Sequence, residues 1–232
     1  MVRKTFKLIF EGWKLYLPVC LIVAVAMMIL GMVPGLEAAN VLYAILMFLV
    51  QWIMTIFITR HLISNKKIKL REVFFNAMTP LISCFVILLL VAIECLPLSL
   101  LTIAYSSAIE TELFATFGYA VGFVIFAVAM ISISAYLLPA SVMSLVAVTA
   151  PGLYPVDTTS KVWIIMKGNR LKFWMKTLVL AVIIGLTWLF VWGMAAVGVP
   201  EAILAGCVTV LMCFDIMFAA VYYYIYYKQL LA

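Results

Sequence analysis

Of 232 residues, 69% are hydrophobic and only 10% are charged, with a mean hydropathy of +1.28. A soluble domain is nearer half apolar and a quarter charged, so this composition excludes a water-solvated fold and makes lipid the solvent of one integral membrane domain, residues 1–232. The formal charge of +6 is not a nucleic-acid footprint, because the cations sit in short segments beside apolar runs, where they favour an anionic cytoplasmic leaflet.

Along the chain the pattern predicts an all-α, polytopic protein with short amphipathic helices at one interface. In residues 3–14, Phe6, Ile9, Phe10 and Trp13 recur at helical spacing with Leu17 beyond them, while Lys4, Lys7, Glu11 and Lys14 occupy another face. That is the signature of a basic helix lying in the interface. The first apolar run, span 15–34, is longer than the roughly 7–15 residues of a cleaved signal, so it is expected to stay as a crossing. Span 41–60 follows after "PGLEAAN". Span 78–105 contains Pro80, Glu94 and Pro97, and Pro97 cannot donate to the Ile93 carbonyl.

Residues 113–149 are uncharged and would make roughly 55 Å of helix, too long for one crossing and short for two. A single crossing kinked at Pro139 is expected there. Next comes a second amphipathic segment, "DTTSKVWIIMKGNR" (157–170), with Asp157 or Thr158 as its cap and Gly168 as its stop. Spans 173–199 and 202–226 complete the chain, hinged at Pro200-Glu201.

Charge decides the count. With one crossing over 113–149 there are six spans, and all fifteen Lys and Arg share the side of both termini, opposite Glu37, Glu110, Glu112 and Glu201. Two crossings would strand Lys161, Lys167, Arg170, Lys172, Lys176 and Lys228 outside, against the tendency of short loops to keep cations in the cytoplasm. The layout is therefore N-in and C-in. "LIFEGW" (8–13), "VFFNAM" (73–78) and "IIMKGN" (164–169) each precede an odd-numbered span. Either they mark three units of interfacial helix, span, span, or they show only that amphipathic residues gather where chains enter a bilayer.

Two acids interrupt spans. Glu94 and Asp215 are candidate substrate-binding residues, since an acid placed on lipid is costly and belongs in the bundle. The alternative for each is a packed acid hydrogen-bonded to a neighbour. Gln51 and the series Ser132, Ser134, Ser141 and Ser144 read as glue between helices, and Gly118 with Gly122 as a close-approach pair. Lys4, Lys7, Trp13, Lys14, Lys161, Lys167, Arg170 and Trp174 are the expected contacts to lipid headgroups, and "YYYIYY" (222–227) is expected to anchor the last span at the interface.

No hydrolase, metalloprotease or nucleotide-binding motif is present. The five Cys lie in apolar spans with no CxxC pair, and the single His61 reads as interfacial, so neither a metal nor a cofactor is implied.

The stretch "LLPASVMSLVAVTAPGLYPVDTTSKVWIIMKGNRLKFWMKTLVL" together with "AAVYYYIYYKQL" resembles the membrane domain attached to some glycerophosphodiester phosphodiesterases and its stand-alone relatives. The resemblance, mainly over 137–232, implies a six-helix protein of a bacterial cytoplasmic membrane with a supporting, oligomerising or lipid-related role. The catalytic barrel of the fused relatives has no counterpart in this sequence, so no catalysis carries over. The expected function is thus non-enzymatic: a multi-pass protein that organises a membrane complex or binds lipid. Its partners would be the bilayer, anionic phospholipids and other membrane subunits or copies of itself, not nucleic acid. The alternative is a transporter or permease subunit energised by another chain.

Overall fold

The computed structural model describes residues 1–31, 37–66, 68–110, 116–150 and 152–231. Position 67, position 112 and the turn at 34–35 lie outside them. The described elements are α1 (Val2–Glu11), α2 (Trp13–Gly31), α3 (Glu37–Ile63), α4 (Leu70–Met78), α5 (Leu81–Glu110), α6 (Phe117–Ala147), α7 (Pro155–Met166), α8 (Arg170–Ala196) and α9 (Glu201–Leu231). Among the described residues the fold is all-α. Helices α3, α5, α6, α8 and α9 are long and apolar enough to cross a membrane, and α1 with α2 forms a sixth candidate bent by 87°.

Several boundaries differ from the sequence reading. The first amphipathic helix ends at Glu11, so Trp13 and Lys14 belong to α2. The break falls at Gly12, where the side chains of Leu62 and Tyr16 fill the space that a Cβ would need. Span three starts after Thr79-Pro80, which separates α4 from α5, and residues 117–147 of the long uncharged stretch form one helix with Pro139 inside it. Helix α7 begins at Pro155, not at Asp157 or Thr158. Its proline occupies the first turn, where the missing N–H has no helical partner to lose. Thr158 instead donates back to the Tyr154 carbonyl at 2.7 Å. After α7, Gly168 adopts φ +90°, a left-handed conformation that suits glycine and turns the chain into α8.

The element order is short, long, long, three times over. Each short helix packs on the last long helix of the preceding unit: α4 on α3, α7 on α6 and, closing the circle, α1 on α9. Each first long helix touches its own partner and that same preceding helix: α2 meets α3 and α9, α5 meets α6 and α3, and α8 meets α9 and α6. These are the contacts of a three-unit ring. The third helices fill its centre, with α9 against both α3 and α6.

Burial is concentrated at one end of that ring. Nearly all of α3 from Leu49 to Thr59, α6 from Leu138 to Thr149 and α9 from Cys213 to Tyr226 is buried or half-buried. The opposite halves present large apolar side chains outward, among them Phe117, Ile125, Leu189 and Ile203. In lipid this exposure carries no hydrophobic penalty, because acyl chains are as apolar as leucine. Helix α6 spans both regimes. Its 31 residues make about 46 Å of helix, beyond the ~30 Å hydrocarbon core, and the surplus is the part that the protein itself buries.

The tyrosine run corrects an expectation. Tyr222, Tyr223, Tyr224 and Tyr226 are all buried. Tyr222 donates to the Lys176 carbonyl at 3.0 Å, and the hydroxyls of Tyr223 and Thr177 lie 3.1 Å apart. Phe173 stacks on Tyr223 with ring centroids 5.7 Å apart. An aromatic ring with a polar tip serves an interior as well as an interface when its hydroxyl finds a partner.

Candidate functional site

Every described Lys and Arg lies at the buried end of the ring. Contacts fix this: Phe6 of α1 meets Phe218 of α9 at 5.0 Å, Tyr16 of α2 bonds Thr59 of α3 at 2.8 Å, and Arg60 of α3 donates to Thr149 beyond α6. The start of α8 joins the same end through Phe173 and Tyr223. Glu110 ends α5 and Glu201 opens α9, both at the far end.

The two predicted acids are separately partnered. Glu94 on α5 is buried, its Oε1 accepting from Ser141 at 2.7 Å and its backbone carbonyl from Ser134 at 2.8 Å. Its Oε2 is buried without a hydrogen-bond partner among the described residues. Asp215 on α9 accepts from Trp188 Nε1 at 3.0 Å and from Thr187 at 3.3 Å, both on α8. Glu94 thus ties α5 to α6, and Asp215 ties α9 to α8. The structure does not bring them together.

Other predicted glue residues divide. Gln51, fully buried, donates through Nε2 to the Cys213 carbonyl and contacts Cys20 Sγ, joining α2, α3 and α9. Ser144 bonds only its own helix, at the Ala140 carbonyl, and Ser132 is exposed. Among the described residues nothing lies within 4 Å of a Cβ built at Gly118 or Gly122, so none of them packs closely on that pair.

The residues expected at headgroups also divide. Lys4, Lys7, Lys14, Lys161 and Lys167 are exposed, and Lys7 pairs with Glu11 at 3.6 Å on the surface of α1. Phe10 is 73% and Trp13 53% exposed, so the α1–α2 elbow offers aromatics as well as lysines outward. Arg170 and Trp174 are not free for headgroups. The Arg170 guanidinium sits 3.4 Å from the Tyr136 ring centroid and 4.6 Å from that of Trp163, with Nε and Nη2 buried and unpartnered among the described residues. Trp174 spends its N–H on the Ala135 carbonyl at 2.8 Å. Both residues lock α8 to α6, and a place beside an apolar span does not distinguish a side chain facing lipid from one facing a neighbouring helix.

Sequence reasoning also missed a polar cavity of about 410 Å³ at the charged end. Arg60, His61, Asn76, Thr79, Ser83 and Thr149 line it, and no Asp or Glu is among its described lining residues. Arg60 donates to the Thr149 carbonyl and hydroxyl, each at 3.1 Å. His61 Nδ1 lies 3.0 Å from the Phe57 carbonyl, an acceptor only, so Nδ1 carries the hydrogen. The available signal was weak: Arg60-His61 closing one helix, and the polar Asn76, Thr79 and Ser83 spaced three or four residues apart across the break from α4 to α5.

An apolar groove of about 790 Å³ opens beside it, between Val86, Ile87 and Leu90 of α5 and Val156, Thr159 and Trp163 of α7. The Thr159 hydroxyl is bonded to the Pro155 carbonyl at 2.8 Å, leaving its methyl for the groove. A further apolar cavity of about 550 Å³ lies between α2, α3 and α4, with Arg71 at its edge. Neither Glu94 nor Asp215 lines any of these three cavities. No family model, no curated protein and no solved structure matches this chain.

Proposed function

We propose that this chain is a non-enzymatic, lipid-binding component of a cytoplasmic membrane, set with its charged end toward the cytoplasm and gathering anionic phospholipid there. One observation carries the reading: the fold collects every described cation at one end and turns α1 by 87° from α2, with Lys4, Lys7, Phe10 and Trp13 outward. A short helix at right angles to a crossing, aromatic on one side and basic on another, is built to lie among headgroups. Each basic side chain near an anionic leaflet contributes about 1 kcal/mol of attraction. The positive-inside tendency supports placing that end in the cytoplasm. The resemblance to the membrane domain of glycerophosphodiester phosphodiesterases is compatible with a lipid-related role in a bacterial membrane.

The observations favour this reading over transport. The ring's core is packed at the charged end, and the two acids that would line a path are each occupied by a neighbouring helix.

The test is lipid retention through purification in mild detergent, measured by mass spectrometry. Replacing Lys4, Lys7 and Lys167 together by Gln should lower the ratio of anionic to zwitterionic lipid retained. An unchanged ratio rejects the lipid reading. A cysteine in place of Lys167 should react with an impermeant thiol label only after cells are opened. Labelling of intact cells would reverse the orientation.

A further inference from the structure

The polar cavity and the apolar groove share α5. Thr79, in the turn before α5, and Ser83 line the cavity, while Val86, Ile87 and Leu90 line the groove. From Ser83 onward these positions follow the three-and-four spacing of one helix face. The wall therefore changes from polar to apolar within a single turn, between Ser83 and Val86. The opposite wall makes the same change, from Thr149 and Gly152 in the turn after α6 to Val156 in α7. Together the two compartments form an amphiphile's outline, each within the ~300–1,000 Å³ of ordinary ligand sites.

The charge of the head compartment selects the ligand. Arg60 uses two of its five N–H donors on Thr149, which aims the guanidinium and leaves donors over. The His61 ring, held by the Phe57 carbonyl and tilted against the Phe57 ring with centroids 4.4 Å apart, keeps Nε2 unbonded among the described residues. A planar guanidinium with hydroxyl and amide groups around it suits the oxygens of a phosphate. With no carboxylate in the described wall, an anion meets no local repulsion.

We propose that the cavity and groove are one site holding a single anionic phospholipid, its phosphate at Arg60 and His61 and one acyl chain between α5 and α7. This deepens the lipid-binding reading above and rests on it, but it places the specific contact in the cavity and groove and not on the exposed lysines.

The test uses the full chain in detergent, titrated with dioleoyl phosphatidylglycerol and read by native mass spectrometry. The expected result is one tightly held molecule per chain. Thr79→Glu puts a carboxylate into the head compartment and Val86→Trp fills the groove. Each should weaken that binding by about tenfold or more, while the diffuse anionic-lipid ratio stays as in the unaltered protein. Asn76→Asp, also at an exposed lining position, replaces Thr79→Glu should that variant fail to fold.

The triple lysine variant should do the reverse, lowering the ratio and leaving the single lipid in place. Should only that arm fail, the exposed-lysine reading falls and the pocket stands. The pocket assignment is overturned if both pocket variants bind normally, or if dioleoyl phosphatidylcholine is held as tightly. Inorganic phosphate or oleate matching the phospholipid, or a polypeptide occupying the groove, overturns it equally.

Discussion

Arg170 offers the sharpest check on the packing argument. Its guanidinium lies between Tyr136 of α6 and Trp163 of α7, at 3.4 and 4.6 Å from their ring centroids. A cation on one aromatic face is worth about 0.5–1 kcal/mol when exposed and about 2 kcal/mol when desolvated. Two buried N–H groups without partners weigh against it, at about 1–3 kcal/mol each. Arg170→Met removes both contributions, so its net effect on stability should be small. The attraction itself is isolated by a double-mutant cycle with Tyr136→Leu, and the coupling should be about 1–2 kcal/mol. Arg170→Lys should be worse than Arg170→Met, because an ammonium stays charged and has no planar face to lay on an aromatic ring. Equilibrium unfolding in mixed detergent–lipid micelles, followed by loss of helical circular dichroism, measures all five proteins. Coupling below about 0.3 kcal/mol, the ordinary error of additivity, would refute the clamp. So would a fall in anionic-lipid retention in Arg170→Met, which would return the residue to the headgroups.

Three further outcomes follow from the same geometry. Gly12→Ala should destabilise by about 1–3 kcal/mol in the same unfolding assay, because the new Cβ overlaps Leu62 and Tyr16, whose ring is held by the Thr59 bond. A neutral effect would mean that the elbow relaxes freely. Asp215→Asn keeps an acceptor for Trp188 and should change stability by less than about 1 kcal/mol, whereas Asp215→Leu strands that N–H and should lose about 1–2 kcal/mol. Equal losses in the two would show that the bond is not what the acid supplies. Glu94→Gln preserves the oxygen that Ser141 reaches and should unfold within about 1 kcal/mol of the unaltered protein, with Glu94→Ala losing about 2 kcal/mol or more. A large loss in Glu94→Gln would point to a role for the carboxylate beyond packing.

The membrane class and the number of long helices were legible because lipid imposes a rule on the linear chain. A crossing needs about 20 apolar residues, and cations must stay beside the crossings and not in them. Length, apolar runs and the placement of Lys and Arg therefore carried the helical architecture and the reading of 113–149 as one crossing, of which 117–147 form one helix. The short-long-long order was one of two readings the sequence left open, since the matches at 8–13, 73–78 and 164–169 are local and the packing of the units is not. Which way each face turns is not local. In a chain this apolar, a helix facing lipid and a helix facing protein have the same composition, because the bilayer rewards both equally. Hence Tyr222–Tyr226 looked like an interfacial belt and Arg170 like a headgroup contact, while the ring of three units buries the tyrosines and sets the half-buried Arg170 against Tyr136 and Trp163. The polar cavity of Arg60, His61, Asn76, Ser83 and Thr149 was beyond reach for the same reason. Its residues come from helices far apart in the chain, and only the closing of α3, α5 and the α6–α7 turn around one point assembles them. The solvent, acting through composition, settled what this protein is immersed in and how its helices are spaced. Packing between helices, which has no linear signature, decided which side chains meet.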